Sequence, residues 1–211
     1  MVPGLVLELK FFHRLEEIDR ALALAVRAGG CTHCGGPLHF SNYLRKPRGG
    51  CFGASAESQA LRYSLCCGQD GCRKRSLPPS MRFLGPRVYM GAVLLLASFW
   101  AQVLGGVKAA AQASRVPVRT LQRWGTWWRS EFVTTTFWQE LRARFVPPAP
   151  DANDLPRSLV EHFIREGLRG VHHPPIEEVL LMVARHLAPI TTNSVADSSI
   201  FVREYFSMQQ R

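Results

Sequence analysis

The chain has 211 residues and a 46% hydrophobic fraction, which excludes a disordered or fibrous protein and leaves room for one domain or two small ones. Its formal net charge of +10 is concentrated: between Asn42 and Phe145, 16 Lys and Arg face four acids, and the two flanks together are slightly acidic. Such a stretch points to a polyanionic partner, because release of phosphate counterions drives association; a solvated basic surface is the other reading of charge alone.

Met1 to Leu9 lacks a basic start, and charged residues soon interrupt any apolar run, so no secretory signal is expected. Without export, clustered cysteines become metal ligands or idle thiols rather than disulfides. Residues 9–28 place Phe12, Leu15, Ile18, Leu22 and Val26 at helical spacing, with Gly29-Gly30 as a stop. The cysteine-bearing stretch from Cys31 to Cys72 is rich in turn formers, and Asn42 to Glu57 reads as a basic loop or hairpin tip. Leu61 to Cys67 alternates like a strand, with Leu61, Tyr63, Leu65 and Cys67 on one face.

Pro78-Pro79 then breaks the chain, and a long helix is expected from about Pro86 to Leu104. The uncharged run Val88 to Val107 is long enough to cross a bilayer. Gly91, Ser98, Gln102, Gly105 and Gly106 interrupt it, however, and the strongly apolar part, Ala92 to Leu104, suits a buried core helix, so no membrane is expected. Helices follow over Lys108 to Ser114, Pro117 to Arg129 and Thr136 to Arg144. A proline-rich linker comes next, then helices over Ser158 to Gly167 and Ile176 to His186. The expected fold is mainly α with a small β zinc ribbon. Its parts are an N-terminal helix (1–30), the ribbon (31–80), a helix-turn-helix region (81–146), a linker (147–156) and a C-terminal helical region (157–211).

Four of the six cysteines have the spacing of a zinc ribbon, Cys31-x2-Cys34 and Cys67-x4-Cys72. Paired cysteines on tight turns aim their sulfurs at one point, and Gly35 and Gly71 suit such turns. Cys66 competes with Cys67 for the third position, but strand alternation puts Cys67 with Leu65 and Tyr63 on the inward face. Cys51 reads as a bystander, and His33 and His39 as surface histidines. One structural Zn2+ is the expected cofactor, since four cysteine ligands leave no position open for chemistry.

The segment Val107 to Trp128 has the shape of a helix-turn-helix: a short alanine-rich helix, a turn at Arg115-Val116, and a second helix beginning at Pro117. Val118, Leu121, Trp124 and Trp128 are expected to pack inward. Arg119, Thr120 and Arg123 then face outward on the half of the helix that reaches base edges. Arg115 and Arg129 are expected phosphate contacts, and Lys108 with the ribbon's Arg73, Lys74 and Arg75 are further expected DNA-binding residues. An ordinary helical hairpin with solvated arginines is the bland alternative.

Cys31-Thr-His-Cys-Gly-Gly, the run from Cys66 to Ser80 and the unit containing Arg119-Thr-Leu-Gln-Arg-Trp124 together resemble a known module. It is the zinc-ribbon plus helix-turn-helix module of bacterial insertion-sequence transposases and of related small bacterial proteins. The likeness spans roughly residues 28 to 132. It implies binding of specific duplex DNA, with Cys31, Cys34, Cys67 and Cys72 as ligands and Arg119, Thr120 and Arg123 as readers.

In those transposases a catalytic domain follows, whereas the residues after Phe132 read as helices and linker. Asp151, Asp154, Glu161, Glu177 and Glu178 have no strand to carry them, so no enzymatic activity is expected. The expectation is a cytoplasmic, nucleoid-associated, sequence-specific double-stranded-DNA-binding protein. It would act as a transposase-like accessory or a transcriptional regulator, as a homodimer or with a mobile-element or defence protein. The alternatives are a zinc-stabilised adaptor for protein partners and an RNA-binding protein. His172-His173 reads as a solvated turn, and the apolar faces Leu159-Phe163-Leu168 and Val179-Leu180-Val183-Leu187 as packing surfaces.

Overall fold

In a computed structural model of the chain, the described residues are 7–46, 48, 59–84, 89–145, 148–168 and 174–192. Cys51, His172 and His173 lie outside them. Two compact units form, one of Glu8–Gly91 with Leu187–Arg211, the other of Ala92–His186 with Met1–Leu7.

The first unit opens with helix α1 (Leu9–Ala28). Its apolar residues recur every three or four positions, so Phe11, Phe12, Leu15, Ile18, Leu22 and Val26 are all buried. The Gly29 N–H donates to the Ala25 carbonyl and the Gly30 N–H to the Arg27 carbonyl, and Gly30 turns the chain away at φ +75. Among the described residues five short strands follow: β1 (Leu38–Phe40), β2 (Tyr43–Leu44), β3 (Leu61–Arg62), β4 (Leu65–Cys67) and β5 (Arg75–Ser76). They make an antiparallel sheet of order β1-β4-β5 and a separate β2-β3 pair. Val26 of α1 packs beneath the first sheet with Cys31, Leu38, Leu65 and Cys67.

The single strand expected over Leu61 to Cys67 is therefore two, interrupted at Tyr63 and Ser64. Arg62 and Ser64, read as outward-facing, are buried like their apolar neighbours. The Arg62 guanidinium is satisfied there by the carbonyls of Tyr63 at 3.2 Å, Pro78 at 2.7 Å and Thr191 at 3.3 Å. A polar residue with enough carbonyl partners can occupy an inner position, so simple polarity alternation misassigned the second face.

The second unit is helical: α2 (Gly91–Val103), α3 (Val107–Ser114), α4 (Val118–Thr126), α5 (Thr136–Arg142), α6 (Arg157–Leu168) and α7 (Ile176–Leu187). Helix α2 begins at Gly91 rather than near Pro86, because Tyr89 and Met90 are held in β-bridges with Arg48 and Phe83. No helix among the described residues is long and apolar enough to cross a membrane. Helix α4 runs into a π-turn over Trp127–Glu131, in which the Phe132 N–H bonds to the Trp127 carbonyl five residues back. This irregularity belongs to an aromatic cluster: Trp128 and Phe132 lie 4.9 Å apart by ring centroids, and Phe132 and Trp138 lie 5.4 Å apart.

The proline-rich segment between α5 and α6 carries a single turn, Ala152–Asp154, whose Asp151 side chain caps the Asn153 N–H at 2.9 Å. Pro150, Leu155 and Pro156 are buried, and Gln102 of α2 bonds both the Leu155 carbonyl and the Arg157 N–H. In the C-terminal helices Leu159, Phe163, Val179, Leu180, Val183 and Leu187 are all buried, as their spacing requires.

Candidate metal centre and basic helical surface

Each cysteine pair sits on a turn whose backbone bonds fix the direction of the sulfurs. In the first turn the Gly35 N–H donates to the Cys31 carbonyl at 2.7 Å, and the Cys31 N–H donates to the Gly36 carbonyl at 2.9 Å. Gly35 needs the left-handed region, at φ +72. The second turn has two more residues between its cysteines. Those residues fold into a turn of their own, closed by the Cys72 N–H on the Gln69 carbonyl at 3.1 Å, with Gly71 at φ +82. The Gln69 N–H points at the Cys67 sulfur at 3.4 Å. The longer spacing is absorbed, and all four sulfurs converge.

Those sulfurs lie within 4.8 Å of one another, with Cys31 to Cys72 at 3.9 Å and Cys34 to Cys67 at 3.4 Å. A tetrahedron of thiolates about zinc, with Zn–S near 2.3 Å, has edges of about 3.8 Å. The four residues thus fit a single metal ion. Cys31 and Cys67 are buried, Cys72 is half-buried and Cys34 is exposed.

The thiols differ sharply in acidity. Cys31 is lowered to about 7, chiefly by the backbone N–H groups of His33 and Cys34. Cys67 is pushed up to about 12: the Gln69 N–H favours its thiolate, but burial and the three neighbouring sulfurs outweigh that. Cys34 is also raised: the Gly36 N–H and the Cys67 sulfur favour its thiolate, but the Cys72 sulfur, burial and the Cys31 sulfur together outweigh them. Four sulfurs at these distances resist carrying charge together, which a bound cation relieves.

Cys66 does not join the cluster. It points to the opposite face of β4, with its sulfur 3.4 Å from the Arg73 carbonyl. His33 and His39 are exposed and also stand apart from the four sulfurs. Gly36 was not singled out in the sequence, yet a Cβ there would sit 3.2 Å from the Cys67 sulfur and 3.3 Å from the Cys34 sulfur. The second glycine of Cys34-Gly-Gly carried that information.

In the helical unit, α3 and α4 are joined by the three residues Arg115, Val116 and Pro117, with Arg115 in the left-handed region at φ 55. Leu121, Trp124 and Trp128 are buried as expected. Val118 is not: it is 36% exposed, whereas Val116 in the turn is 2% exposed. Val118 sits in the first turn of α4 at the edge of its apolar stripe, and Val116 fills the inner position instead. Arg119 and Arg123 are exposed one helical turn apart, with Thr120 half-buried between them. Lys108, Arg115 and Arg129 are also exposed, and the Arg129 guanidinium lies against Gly125, 3.2 Å from where a Cβ would be. Among the described residues, none of these five cations forms an ion pair. In the ribbon Arg73, Lys74 and Arg75 are exposed, and Arg73 pairs with Asp70 at 2.8 Å.

Compared with protein-family models, with curated proteins and with solved structures, the chain matches none. What the residues establish is a four-cysteine, zinc-ribbon-like site able to hold one metal ion, within a small antiparallel β region of a mainly helical chain.

Proposed function

We propose that the chain binds specific double-stranded DNA, holds one structural zinc, and performs no catalysis. It would serve in the cytoplasm as an accessory to a mobile element or as a transcriptional regulator. The observation that carries this reading is the exposed pair Arg119 and Arg123, with half-buried Thr120 between them, on a helix that follows a three-residue turn. A helix in that setting offers arginine forks to guanine edges and a threonine methyl to thymine. Unpaired Lys108, Arg115 and Arg129 supply the sequence-independent attraction to phosphates. A metal bound by four thiolates has no open position, which supports a structural role.

The test is selection of bound duplexes from a random pool, followed by binding measurements on the selected site. Arg119→Ala and Arg123→Ala each weaken specific binding by about 1–3 kcal/mol. Arg115→Gln and Arg129→Gln weaken binding to all duplexes alike and reduce the salt slope by about one each. Unchanged affinity of the first two variants for the selected site overturns the assignment.

A further inference from the structure

The β1-β4-β5 sheet has two unlike faces. Leu38, Leu65 and Cys67 point inward to the core and the cysteine cluster. The register aligns His39 with Cys66 and Cys66 with Arg75, so these three share the outer face. Beyond the end of β1 lie Ser41 and Tyr43, the latter in the separate β2-β3 pair. The Arg75 guanidinium reaches across to them, 3.5 Å from the Ser41 hydroxyl and 5.8 Å from the Tyr43 ring centroid. Tyr43 remains 39% exposed and the adjacent Leu44 64% exposed. His39 is held against Gly68, where a Cβ would come within 2.6 Å of its Nε2.

Arg75 is the cation at this ring, whereas Lys74 turns to the other side of the strand, 3.4 Å from His33 Nδ1. An exposed aromatic ring with a guanidinium 5.8 Å from its centroid matches the chemistry of an unpaired base and its phosphate. Bases within a duplex are already stacked on both faces and cannot use such a ring, whereas unpaired ones can.

We propose that the surface formed by Tyr43 and Arg75 binds single-stranded nucleic acid, with an unpaired base stacked on Tyr43 and a flanking phosphate on Arg75. The site lies in the unit of Glu8–Gly91 and is distinct from the α4 surface. It extends the nucleic-acid reading above to a second ligand class, without depending on duplex recognition by Arg119 and Arg123.

The experiment is fluorescence polarisation of the full-length, metal-loaded protein with labelled oligothymidylate of about 12 nucleotides. The selected duplex is measured in parallel. Tyr43→Ala weakens oligothymidylate binding about 5- to 100-fold, Tyr43→Phe stays within about twofold, and neither changes duplex affinity. Arg119→Ala with Arg123→Ala leaves oligothymidylate binding unchanged. The proposal is overturned if the parent does not bind oligothymidylate. It is equally overturned if Tyr43→Ala, with metal content and circular dichroism intact, binds it as the parent does. Loss of the duplex effect of the arginine variants alone would sink the duplex reading and leave this one standing.

Discussion

Asp19 Oδ2 accepts the Nε–H of Arg82 at 2.9 Å, and both side chains are sealed from solvent. The same carboxylate accepts from the Ser80 hydroxyl at 2.6 Å and from the Met81 N–H, while the guanidinium also donates to the Gln59 and Leu61 carbonyls. This network ties α1 to Gln59 and Leu61 at the start of β3 and to the Ser80–Arg82 segment after β5, so it is a structural anchor of the ribbon unit. Asp19→Ala leaves Arg82 buried and uncompensated, at a cost of about 3–5 kcal/mol. Denaturant unfolding followed by far-UV circular dichroism measures this. A loss below about 1 kcal/mol would mean the pair contributes no more than a surface contact.

Gly36 and Gly71 separate two ways in which glycine serves the metal site. At Gly36 an added methyl meets the Cys67 and Cys34 sulfurs and Gln69 Cβ at 2.9 Å, while at Gly71 it meets nothing within 4 Å. Gly36→Ala therefore displaces ligands and speeds metal transfer to a chromophoric chelator. Gly71→Ala costs about 1–2 kcal/mol through its positive φ and still permits the sulfurs to converge. Equal transfer rates for Gly36→Ala and the parent would contradict the close approach.

Much of this arrangement can be read along the chain. The bounds of α1 follow from its period and the Gly29-Gly30 stop, and the preference for Cys67 over Cys66 follows from strand alternation. What escaped was set by tertiary partners. Arg62 is buried because the adjacent Tyr63 carbonyl and two distant ones receive it, one of them Thr191, 129 residues away. The π-turn after Thr126 accompanies the packing of Trp127, Trp128 and Phe132, and periodicity has no mark for it. Val116 displaced Val118 from the core because the left-handed Arg115 redirects the turn, a conformation that an arginine does not advertise.

The helical unit has a titratable element. His186 lies 4.7 Å from the Phe163 ring and 6.0 Å from the Phe145 ring, and its Nδ1 is 2.8 Å from the Met182 carbonyl. A carbonyl only accepts, so Nδ1 carries the hydrogen of a neutral ring. Burial holds His186 below the usual histidine range, helped by Arg185 and His162 and opposed by the Met182 carbonyl and Glu166. The unfolded chain then binds a proton before the folded one does. Stability is full above the unfolded value near 6.5 and declines as pH falls below it.

All five tryptophans belong to the Ala92–His186 unit, so their fluorescence follows that unit. The unfolding midpoint drops between about pH 7.5 and pH 5.5, and His186→Phe reduces the drop. An identical pH dependence in His186→Phe would remove His186 as its source.

The convergence of Cys31, Cys34, Cys67 and Cys72 is the relationship on which the ribbon rests, and X-ray absorption at the zinc edge of purified full-length protein tests it most directly. The expected result is one zinc per chain, with four sulfurs at about 2.3 Å and no nitrogen. That shell should be retained in Cys66→Ser and lost in Cys67→Ser. Folded protein free of metal, a shell containing histidine nitrogen, or loss of zinc in Cys66→Ser would contradict the four-thiolate centre.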